Sequence, residues 1–245
     1  IIGGGIMGVS LLYHLAKEGW KDLVLLEKGE LTSGSTWHAA GQCPQMMGSY
    51  NLAKIHKESN NLYKKLEKET EQPTGFHECG SLRIAYKKED LDWFKYVKGI
   101  LDNIGAPSEI ISTNEIRKVH PFIKLDGILG AFHTPDDGHT DPTSTTNAMA
   151  KGARNYGAKI YRKNRVTDIK HLSSGEWKLI TEKGDIICEH VVNAAGSYGP
   201  EVGAMVGLKN IPSINMIHHY LVTDEHPSIA KLEKELPVVR DPQAS

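Results

Sequence analysis

The sequence predicts a mixed α/β (α+β) fold in which a βαβ unit is interleaved with a second domain of mixed sheet. Three observations predict it. Gly3-Gly4-Gly5-Ile6-Met7-Gly8 has the spacing G-x-G-x-x-G and directly follows two isoleucines. Ile6, Val9, Leu12, Tyr13 and Ala16 then recur three and four residues apart, the period of one helix face. Past Gly19, Leu23-Val24-Leu25-Leu26 reads as a second buried strand and ends in Glu27. Strand, glycine turn, helix, strand and acid in this order are the signature of a Rossmann-like dinucleotide site. Gly3 and Gly5 let backbone N–H groups approach a pyrophosphate at the helix N-terminus, and Gly8 lets the helix lie close on the sheet. Glu27 suits a ribose hydroxyl and disfavours a 2′-phosphate, so NADP is not expected.

The remaining elements follow from period and punctuation. Asn51 to Thr70 reads as an amphipathic helix with Leu52, Ile55, Leu62 and Leu66 on its buried side, broken by Gln72-Pro73-Thr74-Gly75. Gly80 to Tyr86 is a strand. Glu89 to Gly105 is a helix with Leu91, Phe94, Val97 and Leu101 as its inner stripe. Ser112-Thr113-Asn114-Glu115 starts another helix that Pro121 ends, and Gly130 to Thr134 is strand-like. Asp141-Pro142 caps a helix of small residues reaching Tyr156. Strands are expected over Lys159–Ile169, Glu176–Thr181 and Asp185–Glu189, and a buried one over His190–Gly196 with a helix after it. Ser213 to Thr223 alternates as a strand. This order assigns residues 1–75 and 138–208 to the dinucleotide domain, and 76–137 and 209–245 to the second domain.

Bulk properties narrow the class. The 245 residues suffice for a sizeable core, and a net charge of −1 speaks against a nucleic-acid or membrane-surface protein. No apolar run approaches a membrane span. Cys43, Cys79 and Cys188 lack a CxxC spacing and read as reduced thiols, not as a disulfide framework or zinc site. His120, His133 and His139 show no metal-ligand spacing and read as turn or surface residues, so no metal is expected. Lys64-Lys65 and Lys87-Lys88 read as solvated positions. Ile1-Ile2 falls short of the about five or six residues of an ordinary strand, and the C-terminal stretch supplies no closing element. An internal segment of a longer protein is the expectation, with the last part of the nucleotide domain outside it.

Longer strings narrow the reading further. The glycine motif with Glu27-Lys28 is joined by Glu30-Leu-Thr-Ser-Gly-Ser-Thr-Trp-His-Ala-Ala-Gly41, Gly138-His-Thr-Asp-Pro142, Asn193-Ala-Ala-Gly196, His218-His-Tyr-Leu-Val-Thr223 and Leu236-Pro-Val-Val-Arg-Asp241. Over nearly the whole chain the sequence resembles the FAD-dependent amine dehydrogenases of the D-amino-acid oxidase superfamily, and within it the dimethylglycine and sarcosine dehydrogenases. The glycine motif is shared by many flavoproteins; Ser-Thr-Trp-His-Ala-Ala-Gly is much narrower. The resemblance implies that His38 is joined covalently to the 8α-methyl carbon of FAD. Such a bond needs a neutral ring nitrogen, which imidazole supplies near neutral pH. It also implies flavin contacts from Gly3, Gly5, Ile6, Gly8, Glu27, Lys28, Ser33, Gly34, Ser35, Thr36, Ala39, Ala40, Gly41 and Gln42. Val166 matches a strand whose backbone meets the adenine, and Ala194, Ala195 and Gly196 pass near the pyrophosphate.

The activity so implied is oxidative N-demethylation of a small N-methylated amino acid such as dimethylglycine or sarcosine. The flavin supplies the redox step, and the substrate nitrogen must be unprotonated as hydride leaves. The family pattern has a histidine and a tyrosine at the positions of His218 and Tyr220, which strand periodicity places on one face, with His219 on the other. Tyr220 is expected to hold the amine or its carboxylate, and His218 to act as a nearby hydrogen-bonding or basic group. An electron-transfer flavoprotein as acceptor, and tetrahydrofolate on a further domain, are implied partners. The compartment would be the bacterial cytoplasm or the mitochondrial matrix. A related oxidase using oxygen, or a non-catalytic regulatory flavoprotein, are the alternatives.

Overall fold

In a computed structural model that describes residues 1–243, the chain forms short sheets and seven helices among the described residues. The first half runs α1 (Ile6–Lys17), β1 (Val24–Leu26), a 3-10 turn (Ser35–His38), β2 (Gln42–Cys43), α2 (Tyr50–Thr70), β3 (Ser81–Ala85) and α3 (Lys88–Ile104). Next come β4 (Glu109–Ile111), α4 (Thr113–Val119), β5 (Gly130–Thr134), β6 (Gly138–His139), α5 (Pro142–Asn155) and β7 (Lys159–Tyr161). The last part is β8 (Val166–His171), β9 (Trp177–Thr181), β10 (Ile186–Cys188), α6 (Gly199–Ala204), α7 (Pro227–Ala230) and β11 (Val238–Arg240). No helix among the described residues is long and apolar enough to cross a membrane.

Two compact units arise. The first comprises Ile1–Ala40, Leu66–Thr74 and Asp141–His219; the second comprises Gly41–Lys65, Gly75–Thr140 and the described residues from Tyr220. Residues 41–65 and 138–140 therefore belong with the second unit and residues 209–219 with the first, where the element order had assigned each to the other.

In the first unit the backbone of Ile2 lies parallel between β1 and residues 192–194. Gly3 N donates to Leu26 O at 2.9 Å, and Ile2 N donates to Val192 O at 2.9 Å. β1 pairs in parallel with β7 on its other side. Helix α1 buries Gly8, Val9, Leu12, Tyr13 and Ala16, the face that its period predicted. It packs on α5, whose inner face is built from Ala148, Met149, Ala150, Gly152 and Ala153. Small residues are needed there: a Cβ on Gly152 would stand 2.7 Å from the Tyr13 ring. Asp141 caps α5, its carboxylate accepting from Ser144 N at 2.6 Å. β8, β9 and β10 form an antiparallel meander whose Val166, Ile169 and Leu179 join Ile2, Leu26 and Val202 in one apolar cluster.

The second unit is a four-stranded sheet ordered β11-β3-β5-β4, with α3 packed on it through Phe94, Val97 and Leu101. Ser112 and Glu115 form the capping box that opens α4. Helix α2 keeps only part of its expected stripe: Leu66 is buried and Leu62 half-buried, but Leu52 and Ile55 are exposed, while Ala53 and Asn60 are buried. The inner face is small and polar because the helix is tied by hydrogen bonds as well as by packing. Asn60 Nδ2 donates to Cys43 O at 3.0 Å, and Lys57 Nζ donates to the last carbonyls of α3, Ile104 O at 2.5 Å and Gly105 O at 2.9 Å.

Three expected strands differ. Lys159–Ile169 splits into β7 and β8, which join different sheets; Asn164, between them, turns inward and accepts from Lys183 N through its side chain. Residues 190–196 form only an isolated bridge with Ile2 and stay mostly exposed, since their other edge has no strand beside it among the described residues. Ser213–Thr223 has no regular structure, with Ile214, Met216, Ile217, Leu221 and Val222 all more than 79 % exposed. Alternation alone does not make a strand; a ladder partner must satisfy the backbone groups, and none is present among the described residues.

Candidate functional site

The glycine loop is shaped for close backbone approach. Gly3 has φ +115°, a region closed to most side chains, and a Cβ there would overlap the carbonyl of Ala194. A Cβ on Gly8 would overlap the carbonyl of Gly3. Gly5 is the N-cap of α1, and no side chain caps the helix from that position. At the positive end of the helix a side chain takes only the first N–H, that of Ile6, which donates to Thr36 Oγ1.

Glu27 is buried at the end of β1. Its carboxylate accepts from Gly4 N at 2.7 Å and from Gly29 N at 2.7 Å, bracing the glycine loop and the turn after β1. Beside it lies a pocket of about 70 Å³. Five residues singled out from the sequence line it: Gly3, Glu27, Lys28, Val166 and Ala195. Tyr198 and Arg165 also line it and were not singled out. Lys28 Nζ stands 3.0 Å over the centroid of the Tyr198 ring, a cation–π contact at the pocket wall. Tyr198 had no signal of its own; only its place two residues after Gly196 could have suggested it.

The Ser35–His38 turn is fastened to the start of α1. Thr36 Oγ1 accepts from Ile6 N at 3.1 Å. Trp37 and His38 both face solvent, with ring centroids 3.7 Å apart. Ser33, Gly34, Ser35, Ala39 and Ala40 are exposed around them. Gly41 takes φ +71°, and its carbonyl accepts from Thr140 N at 2.9 Å; Gln42 then pairs with His139 in the second unit. Gly196, at φ +55°, opens the turn that carries Tyr198.

His218 and Tyr220 fall in the irregular segment. Both are exposed, and they are not paired on the face of a strand as alternation had implied.

The second unit holds two polar clusters that the sequence did not disclose. Asp137 is wholly buried. Oδ1 accepts from Gln45 N at 2.9 Å and from Gln45 Nε2 at 3.2 Å, and Oδ2 accepts from the Ser81 hydroxyl at 2.6 Å. Burial pushes its carboxyl up to about 6, against these hydrogen bonds. The other cluster is His77, His139 and Glu235. His139 is thus not an isolated turn residue; its partners lie far away in sequence, where spacing rules cannot find them.

A family profile described as FAD dependent oxidoreductase, DAO, matches residues 1–244. The chain belongs to this family. FAD suits the site: a helix N-terminus with no side chain at its N-cap, glycine positions that a Cβ would block and a buried acid at the end of β1 are what a dinucleotide needs. Among curated members of the family, rat mitochondrial dimethylglycine dehydrogenase is 46 % identical over all 245 residues. The mouse mitochondrial pyruvate dehydrogenase phosphatase regulatory subunit is 35 % identical over 98 % of this chain. The chain spans about 28 % of the length of the first and 27 % of the second. Among solved structures, L-proline dehydrogenase from P. horikoshii superposes with a TM-score of 0.83 at 27 % identity, covering 99 % of this chain and 63 % of that one.

Proposed function

We propose that the whole protein oxidatively demethylates a small N-methylated amino acid such as dimethylglycine or sarcosine, with FAD joined covalently to His38. The observation that carries this reading is the exposed Trp37–His38 pair on a turn anchored through Thr36 to the first residue of α1. In this reading FAD would extend from the glycine loop toward this turn, where the exposed imidazole would meet it. The 46 % identity with a dimethylglycine dehydrogenase along the entire chain supports the substrate class.

Roles follow for the chain's own residues. Gly3, Gly5 and Gly8 admit the pyrophosphate, with Ile6, Ala195 and Gly196 beside it. Glu27 exchanges one backbone donor for a ribose hydroxyl, and Lys28 and Val166 flank the adenosine. Ser33 to Ala40, with Gly41 and Gln42, line the flavin end around His38. His218 takes a proton from the substrate nitrogen, because an ammonium has no lone pair to assist oxidation. Tyr220 donates its hydroxyl to the substrate carboxylate. FAD, when bound, supplies the two-electron acceptor for the C–H bond next to nitrogen. An electron-transfer flavoprotein as acceptor, a folate site elsewhere in the full protein, and a mitochondrial-matrix or bacterial-cytoplasmic location belong to the same reading. The first unit would hold most of the FAD, and the second unit would carry the substrate side.

Acid denaturation of the full protein, proteolysis and mass spectrometry of the His38 peptide test the reading. Flavin on that peptide is the expected result; free flavin in the supernatant would remove the covalent link. The similarity to a phosphatase regulatory subunit favours a second, non-catalytic reading. Anaerobic bleaching of the flavin by dimethylglycine or sarcosine separates the two: the enzyme bleaches and a regulatory flavoprotein does not.

A further inference from the structure

We propose that His77, His139 and Glu235 bind a divalent transition metal of the Zn²⁺ class, which clamps the segment before β11 to the body of the second unit. Their donor atoms lie within 4.8 Å of one another. The carboxylate of Glu235 joins the two imidazoles: Oε2 accepts from His77 Nδ1 at 2.8 Å, and Oε1 accepts from His139 Nε2 at 2.5 Å. A tetrahedral site with bonds of ~2.1 Å sets its donors ~3.4 Å apart, so small side-chain shifts convert this cluster into a coordination sphere.

The backbone holds the two histidines ready. His77 and His139 face each other across an antiparallel bridge, with N–H to carbonyl distances of 2.8 and 3.1 Å. Their rings stack at 5.0 Å with planes 12° apart. The bridge is this tight because Gly138 precedes His139: a Cβ there would overlap the His77 carbonyl. Glu235 comes from 96 and 158 residues further along the chain, just before β11 enters the sheet beside β3. The three side chains are about one-third to one-half exposed, so a metal from solution reaches them. Two imidazoles and one carboxylate select Zn²⁺, Co²⁺ or Cu²⁺ over Mg²⁺ or Ca²⁺, which prefer all-oxygen shells. Water would complete the sphere. On binding, each imidazole presents a lone pair at the nitrogen now facing Glu235 and carries its N–H on the other ring nitrogen.

The test is Zn²⁺ titration of the chelator-treated holoprotein, followed by X-ray absorption on the Zn²⁺-loaded form. One equivalent bound, a shell fitted by two imidazoles, and at least tenfold weaker binding in both His77→Gln and Glu235→Gln is the expected result. Absence of stoichiometric binding, a shell without two imidazoles, or unchanged binding in either folded variant overturns the site. The absorption spectrum uses unsubstituted protein, so a variant that fails to fold does not remove the decisive readout.

Discussion

Glu27 and Asp137 are both buried carboxylates held by hydrogen bonds, one in each unit, yet they are built differently. Glu27 accepts two backbone N–H groups, from Gly4 and Gly29, and lines a pocket. Asp137 is fully enclosed and accepts from one backbone N–H and two side chains. An acid at a pocket wall can trade a partner for a ligand. A sealed acid cannot, and three donors converge on it. The first arrangement leaves the acid at a pocket wall and the second locks it into the fold, although either carboxylate taken by itself would pass for a site residue.

The contrast breaks if substitution at the two positions has the same consequence. The largest effect is expected for Asp137→Ala, which orphans the Gln45 and Ser81 donors and lowers stability by about 2–4 kcal/mol, read from denaturant midpoints. FAD content of the folded fraction should stay unchanged. Asp137→Asn should cost far less, because the amide oxygen serves Gln45 while its NH₂ donates to the Ser81 hydroxyl.

The pH dependence sharpens the same point. The Asp137 carboxyl stands at about 6 in the fold, against an ordinary 3.8. Between these values the native state holds the extra proton, so its contribution to stability is fully present below pH ~4 and is lost as pH rises through ~6. Midpoints measured across that window should show the decline in the parent protein, and Asp137→Asn should abolish this component.

Glu27→Ala should cost less in stability, about 1–2 kcal/mol, since two backbone donors lose their acceptor. Its larger signature is at least a roughly tenfold slower incorporation of FAD into apoprotein, on the same hydrogen-bond scale. Unchanged incorporation would deny Glu27 its ligand role. The smallest effect is expected for Lys28→Met, which removes the cation over the Tyr198 ring: less than about 1 kcal/mol in stability, with a measurable change in tyrosine fluorescence.

Local order was readable wherever short-range rules decide it. Ile6 to Ala16 form the helix their spacing implies because packing and period agree, and Asp141 and Ser112 cap the helices they precede. Of the site, Gly3, Glu27, Lys28, Val166 and Ala195 meet at one pocket. Misreadings occur where a distant partner decides. Leu52 and Ile55 look like a core stripe, but α2 turns Ala53 and Asn60 inward because Cys43 O and the apolar cluster around Phe94 await them. Tyr220 and His218 alternate like a strand, but no neighbouring strand pairs with them among the described residues.

The sequence by itself determined the βαβ unit, its glycine loop, the helix caps and the family. These depend on backbone conformations and contacts that close within a few tens of residues. Tertiary structure alone decided that Gln45, Ser81 and Asp137 share a buried cluster, and that His77 and His139 meet Glu235. Those groups are separated by long stretches of chain. Strand pairing brings them within reach of one hydrogen bond: β6 against β2, β3 against β5, β11 beside β3, and the bridge between His77 and His139.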